Sequence, residues 1–371
     1  MNKKSFFLLS AGLLAVSACA VETQPNYTLS FPVPADKNNT MAYLLDWDNG
    51  QKLDSVVVSD AQVKFSGVID DATLGRLVVD GARGPIFILE KGNIVISPEG
   101  KPSGTPLNDK FVSYTQLMSE IGKEYQTLNL EDSVQAAKAK QLEADYDAVP
   151  MKAYQENINN PVGLYWFLQQ AYEMDLAQLD AAISKNPGLG KSKRVESLRN
   201  SLLAKAETSE GKQYKDFEVT YDGKVQKLSD YVGKGHYTLV DFWASWCGPC
   251  IRQTKVIKQL YNKYKDKGLE VVGVAVWDEP ANTLKAIKSH GLEWSCIMDA
   301  QTIPTDIYGI SSIPCIILID PDGKIVSRDK QSQELIDDVD AAMADFHPET
   351  SAVMDNEAKN DTASADTTVI F

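Results

Sequence analysis

The chain has 371 residues, 43% of them hydrophobic and 24% charged, too many for one ordinary domain and enough to bury more than one core. Its formal net charge of −14 repels phosphate backbones, and no stripe of Lys and Arg with interleaved aromatics offsets it, which excludes nucleic acid as an expected partner. No internal apolar run is long enough to span a bilayer.

In chain order, residues 1–18 read as a signal peptide. Asn2-Lys3-Lys4 precedes an apolar run from Phe6 to Val16, and Ser17-Ala18-Cys19-Ala20 supplies small residues at its end. Val16-Ser17-Ala18-Cys19 is similar to a bacterial lipobox, which makes Cys19 the acylated first residue of an exported, tethered protein. Ordinary cleavage after Ala20 stays open as the alternative. The expected location is the bacterial cell envelope, facing the periplasm and attached through the lipid anchor to the inner or the outer membrane.

Residues 19–106 read as a β-rich module. Short runs rich in Val, Ile and Phe (Tyr27 to Phe31, Met41 to Leu45, Leu53 to Val58, Val63 to Val68, Leu74 to Val79, Ile86 to Leu89, Ile94 to Ile96) are separated by turn signals such as Asp48-Asn49-Gly50. The expectation is a small antiparallel sandwich or barrel. Pro98 to Pro106 marks a boundary, after which the apolar period changes from two to about 3.6. Phe111, Tyr114, Met118, Ile121 and Tyr125 share one helical face, and residues 107–212 read as a helical segment broken at Pro161 and at Asn186-Pro187-Gly188. The aromatic run Tyr165-Trp166-Phe167 fits helix packing better than a ligand patch.

From residue 213 to 347 strands and helices alternate: strand Thr238 to Trp243, helix from Cys247, strand Leu269 to Val276, a helix near Asn282 to Ser289, strand Cys315 to Asp320, strand Ile325 to Ser327. A last helix carries Leu335, Val339 and Met343 on one face. Such alternation predicts an α/β sheet with helices on both faces. Residues 348–371 are polar and acidic, the composition of a disordered tail.

The chain has five cysteines and three histidines. With Cys19 assigned to the anchor, Cys247, Cys250, Cys296 and Cys315 remain, too few to staple a chain this size and without the second close pair that zinc would need. Trp246-Cys247-Gly248-Pro249-Cys250 falls where an apolar strand ends and a helix begins. There the free N–H groups and the helix dipole favour a thiolate, which predicts an acidic, exposed Cys247 nucleophile. Cys250 lies one turn on, within reach to resolve a mixed disulfide.

The eleven residues Val240 to Cys250 (Val-Asp-Phe-Trp-Ala-Ser-Trp-Cys-Gly-Pro-Cys) resemble the active-site segment of thioredoxin. Gly309-Ile310-Ser311-Ser312-Ile313-Pro314 resembles that family's second signature, a loop ending in a cis-proline beside the redox pair. The layout of residues 213–346 is similar to the membrane-anchored thioredoxin-like proteins of bacterial envelopes, related to cytochrome-maturation reductases and the alkyl hydroperoxide reductase superfamily. The resemblance implies a thiol-disulfide oxidoreductase with a thioredoxin-like domain and no cofactor, in which Asp241 acts as the buried base for Cys250, and Trp246, Ile313 and Pro314 meet the substrate. A satisfied strand-end aspartate is the bland alternative for Asp241. The partners it implies are disulfide-containing envelope proteins and a membrane thiol electron donor.

Two departures stand out. Lys255 occupies the place of thioredoxin's helix-kinking proline, and no peroxidatic cysteine site is present, which disfavours direct peroxide reduction. Cys296 and Cys315 are open to three readings: buried free thiols, a structural disulfide, or a second redox pair. The Gly-Pro between the cysteines resembles that of reducing thioredoxins more than that of strong oxidants, which implies a reductase of protein disulfides. An isomerase or oxidase using the same site, and an envelope binding or assembly protein with a subordinate redox domain, are the competing functions.

Overall fold

The computed structural model describes residues 24–347, so Cys19, the expected signal peptide 1–18 and the expected disordered tail 348–371 lie outside the described residues. The described residues divide into two compact units, with the boundary between Gln170 and Ala171. The helical segment 107–212 is therefore shared between the two units.

In the first unit β1 (Tyr27–Pro32), β2 (Met41–Asp46), β3 (Lys52–Val57), β4 (Gln62–Gly67), β5 (Thr73–Val79), β6 (Ala82–Leu89), β7 (Gly92–Ile96) and β8 (Pro102–Ser103) form two four-stranded sheets. Their strand orders are β4-β1-β7-β8 and β3-β2-β5-β6. Alternate residues such as Leu29, Leu44, Phe65, Leu77, Phe87 and Ile94 turn inward to one core. This is a sandwich, and one correction applies to the antiparallel expectation: β1 and β7 run parallel. The boundary segment also supplies the short strand β8 at the sheet edge.

Three helices follow: α1 (Pro106–Gln126), α2 (Ser133–Glu156) and α3 (Pro161–Ala171). The start of α1 is pinned to the sandwich by fully buried Asn108, whose amide exchanges hydrogen bonds with the backbone of Ile88 (2.8 and 2.7 Å), while Glu90 accepts the Leu107 and Asn108 amides. Tyr165 packs on Trp47 and Phe111, Trp166 on Tyr114, and Phe167 on Tyr154. The aromatic run is thus core.

The second unit begins with α4 (Leu176–Lys185) and α5 (Lys193–Glu207). The hairpin β9 (Glu218–Tyr221) and β10 (Lys224–Lys227) comes next, then β11 (Tyr237–Trp243), α6 (Gly248–Tyr264), β12 (Leu269–Ala275), α7 (Pro280–His290) and β13 (Ser295–Ile297). It ends with α8 (Ile303–Tyr308), β14 (Cys315–Ile319), β15 (Ile325–Arg328) and α9 (Ser332–Met343). The sheet order is β13-β12-β11-β14-β15, with β14 antiparallel to β11. Along β11, Leu239 and Trp243 face the layer of α6, α7 and α9, whereas Val240 and Phe242 face Tyr308 of α8 and Phe217 beside the hairpin. The sheet is covered on both faces, a thioredoxin-like fold.

α5 belongs to this unit because of two close contacts. Buried Arg328 donates to the carbonyls of Thr208 (2.8 Å) and Tyr308 (2.6 Å). Gly309 has φ +60°, and a Cβ there would lie 2.1 Å from the carbonyl oxygen of Ser201. Gly309→Ala combines a left-handed backbone with overpacking and should cost roughly 2–4 kcal/mol. Urea denaturation, with hydrogen exchange read in residues 193–207, checks this; unchanged stability would refute the contact.

Candidate redox site

β11 is apolar and almost wholly buried, and the chain leaves the sheet at Ala244 to enter α6. Gly248 and Pro249 form the first helical positions, where a proline lacks nothing the helix needs. Cys247 is the N-cap of α6, and the Cys250 amide donates to its Sγ at 3.1 Å. The two cysteines form a disulfide, with Cα atoms 5.2 Å apart. An N–H aimed at Sγ from a helix N-terminus stabilises negative charge on that sulfur once the bond is reduced.

The expected exposure of Cys247 needs correction: in the disulfide form it is 3% exposed. It packs with Trp243, Ala244, Cys250 and Ala286, and Ile313 closes over it, with the Ile313 carbonyl oxygen 3.8 Å from Sγ. The neighbour that does face solvent is Trp246, 61% exposed and held by its indole N–H on the Trp277 carbonyl (2.9 Å). The Ile313-Pro314 peptide bond is cis. The structure thus brings Trp246, Cys247, Cys250, Ile313 and Pro314 to one end of the sheet.

Asp278 escaped sequence reasoning. Its buried carboxylate accepts the Ser245 amide (2.7 Å), the Ser245 hydroxyl (2.9 Å) and the Thr283 hydroxyl (2.8 Å), which fixes the loop leading into Cys247. The signal was its position just past β12, since sites in α/β folds gather at the carboxyl ends of strands.

Asp241 lies two residues before Trp243 on the α6 face of β11 and is 3% exposed. Its Oδ1 has no hydrogen-bond partner among the described residues. Burial lifts the carboxyl from 3.8 to about 7, the signature of a charge deprived of water. Across the sheet Asp241 pairs with Gly273, and Gly273 with Cys296. The missing side chain of Gly273 leaves room for the Trp243 indole, whose Nε1 lies 3.0 Å from where a Cβ would stand, with the Cys296 sulfur at 3.4 Å.

Cys296 and Cys315 are free thiols. β13 and β14 are separated by two strands, so three spacings of about 4.8 Å exceed the roughly 7 Å limit between bonded Cα atoms. Burial, then the Asp241 charge, pushes the Cys296 thiol up to about 12. Burial and Asp329, 3.2 Å away, push Cys315 well above its ordinary value. Both stay protonated at neutral pH and are poor nucleophiles.

Two outcomes follow from these environments. The raised Asp241 value means that its contribution to stability is full below about pH 4 and is lost as pH rises through about 7. Asp241→Asn should therefore match the native protein at pH 4 and exceed its stability at pH 8 by up to about 4 kcal/mol, read by urea denaturation at each pH. In the reduced native protein, brief iodoacetamide treatment at neutral pH should label Cys247 and spare Cys296 and Cys315. Peptide mapping that finds Cys315 labelled as fast as Cys247 would contradict its burial.

Residues 211–328 match the AhpC/TSA family, and residues 27–111 match a domain family of unknown function, DUF4369. The thiol-disulfide oxidoreductase ResA of Bacillus cereus is 32% identical over 138 residues, 37% of this chain and 79% of the relative. ResA of Bacillus subtilis is 33% identical over 129 residues, 34% of this chain and 71% of the relative. Among solved structures, the thioredoxin domain of a thiol-disulfide oxidoreductase from Bacteroides vulgatus is 29% identical, with TM-score 0.33, covering 36% of this chain and 98% of that one. A thiol:disulfide interchange protein from Bacteroides sp. is 29% identical, with TM-score 0.34, covering 37% and 92%. With a disulfide-bonded Cys-Gly-Pro-Cys pair at the head of α6 and this similarity across most of the relatives' length, the chain belongs to the ResA-type thiol-disulfide oxidoreductases.

Proposed function

We propose that this oxidoreductase is exported and reduces disulfides in envelope proteins. The observation that carries the reading is the Cys247 sulfur at the N-cap of α6, receiving the Cys250 N–H and lying against the Ile313 carbonyl. In the reduced enzyme the Cys247 thiolate attacks one sulfur of a substrate disulfide. The substrate S–S bond breaks, its other sulfur leaves as a thiolate, and a mixed disulfide forms. Asp241 takes the proton of the Cys250 thiol; the resulting thiolate attacks Cys247 Sγ and expels the second substrate sulfur. The substrate gains two electrons, the Cys247–Cys250 disulfide closes, and a membrane thiol donor reopens it.

In this reading Trp246 offers substrate an exposed aromatic surface, while Ile313 and Pro314 border the reacting sulfur. The Val16-Ser17-Ala18-Cys19 motif supports attachment to the membrane by lipid on Cys19. Among the described residues no helix is long and apolar enough to cross a membrane.

The purified protein, equilibrated with glutathione or dithiothreitol buffers, should show a reduction potential near thioredoxin's, roughly −270 mV. A value of about −120 to −180 mV would overturn the reductase reading in favour of an oxidase or isomerase. Cys250→Ser should accumulate the mixed disulfide on Cys247. Its release in the protein retaining Cys250 should speed up as pH rises through about 7, where Asp241 becomes a carboxylate. Asp241→Asn should slow that release about 100-fold and remove the inflection, measured by quenched flow.

A further inference from the structure

Past the end of β12 the chain stays beside the loop that leads into Cys247. The Val276 amide donates to the Trp243 carbonyl (3.0 Å), and the Trp246 indole N–H to the Trp277 carbonyl (2.9 Å). The Ser245 amide and hydroxyl both donate to the Asp278 carboxylate (2.7 and 2.9 Å). Four hydrogen bonds thus tie residues 243–246 to residues 276–278, and one of them holds the immediate neighbour of the reactive sulfur.

This attachment uses an uncommon backbone. In an extended strand successive side chains alternate between faces. Trp277 leaves that pattern with φ +52°, in the left-handed region that bulky residues rarely enter, and its carbonyl and the Asp278 side chain both reach the loop. Asp299 and Gln301 are left-handed too, with φ +56° and +48°. The Gln301 side-chain amide donates to the Asp299 carboxylate (2.6 Å) and to the Asp278 carbonyl (2.8 Å). From α7 the buried Thr283 hydroxyl donates to the Asp278 carboxylate (2.8 Å). Left-handed residues other than glycine cost free energy, and they persist where the surroundings over-determine them.

We propose that Trp277 and Asp278 are positioning residues for Cys247, holding Trp246 and Ser245 so that the sulfur stays over the N-terminus of α6 when the disulfide opens. The proposal rests on the thiol-disulfide reading of Cys247 and names what keeps that sulfur reactive. In the closed form the bond to Cys250 itself fixes the sulfur. Reduction removes that constraint and leaves the clamp. The stabilisation of the thiolate is directional and fades within the first turn of the helix, so a loop free to drift forfeits it.

Hydrogen bonding and charge at Asp278 act on Cys247 with opposite signs. A carboxylate near a thiolate repels it, so removing the charge alone makes the thiol more acidic. Loss of positioning withdraws the Cys250 N–H and the helix dipole from the sulfur, and makes the thiol less acidic.

The test follows iodoacetamide alkylation of Cys247 in the reduced full chain across pH, with peptide mapping to separate it from the other thiols. The native rate should inflect clearly below the roughly 8.5 of a free cysteine. Asp278→Ala should move the inflection up by about one unit, which leaves about tenfold less thiolate at neutral pH. Asp278→Asn is uncharged but still accepts the Ser245 amide, and it should shift the inflection up no further than Ser245→Ala does. Trp246→Phe, which removes the indole N–H and keeps an aromatic ring, should also shift it up, by less than Asp278→Ala. A downward shift in Asp278→Ala and Asp278→Asn alike assigns the effect to charge and overturns the positioning role. So does an unchanged inflection in every variant, even where the melting temperature falls, since a merely structural role moves only the latter. Should Asp278→Ala fail to fold, Ser245→Ala and Trp246→Phe decide: no upward shift in either overturns the proposal. Reduction of a disulfide substrate by Cys247→Ser would instead overturn the thiol-disulfide reading beneath it.

Discussion

A sulfur at the N-terminus of a helix is the constraint on which the rest of this unit depends. The first N–H groups of α6 have no partner within the helix, and Cys247 as N-cap supplies one through its Sγ. A thiolate there meets both a hydrogen bond and the positive end of the helix dipole, whereas a thiolate elsewhere in so buried a cluster would be strongly disfavoured. The geometry demands that the chain leave β11, turn sharply and start α6 at one particular residue. Asp278 fixes that turn from below by holding Ser245, and the Ile313 loop closes it from above.

The same sheet carries three further groups that burial controls. Asp241 and Cys315 are buried and Cys296 is half-buried, and in each burial is the first cause that favours the protonated form. The consequences differ with chemistry. A carboxyl lifted to about 7 can exchange a proton near neutral pH, while thiols raised as far as those of Cys296 and Cys315 are silent there. Among the described residues burial therefore leaves one reactive sulfur pair and keeps the thiols of Cys296 and Cys315 out of the reaction. The asymmetry costs stability, since an uncompensated carboxyl under a sheet is unfavourable once it ionises.

The second unit is larger than the stretch matched by the AhpC/TSA family. α5 is locked on by a buried guanidinium and by a glycine whose position leaves no room for a side chain. Both contacts lie directly behind the loop that borders Cys247.

By itself the sequence determined the chemistry and the local structure that carries it. The order of strand, Trp246-Cys247-Gly248-Pro249-Cys250 and helix is set by neighbouring residues, and the nearly unbroken apolar runs of β11 and β14 were legible for the same reason. Tertiary structure alone decided what depends on residues distant in the chain. The near-burial of Cys247 comes from Ile313, 66 positions away. The state of Cys296 and Cys315 depends on which strands separate them, and the loss of water around Asp241 on the layer packed over it. The parallel pairing of β1 with β7 and the assignment of α5 to the redox unit were hidden likewise. Hydrophobic period records which face of an element is buried, but not the partner it is buried against.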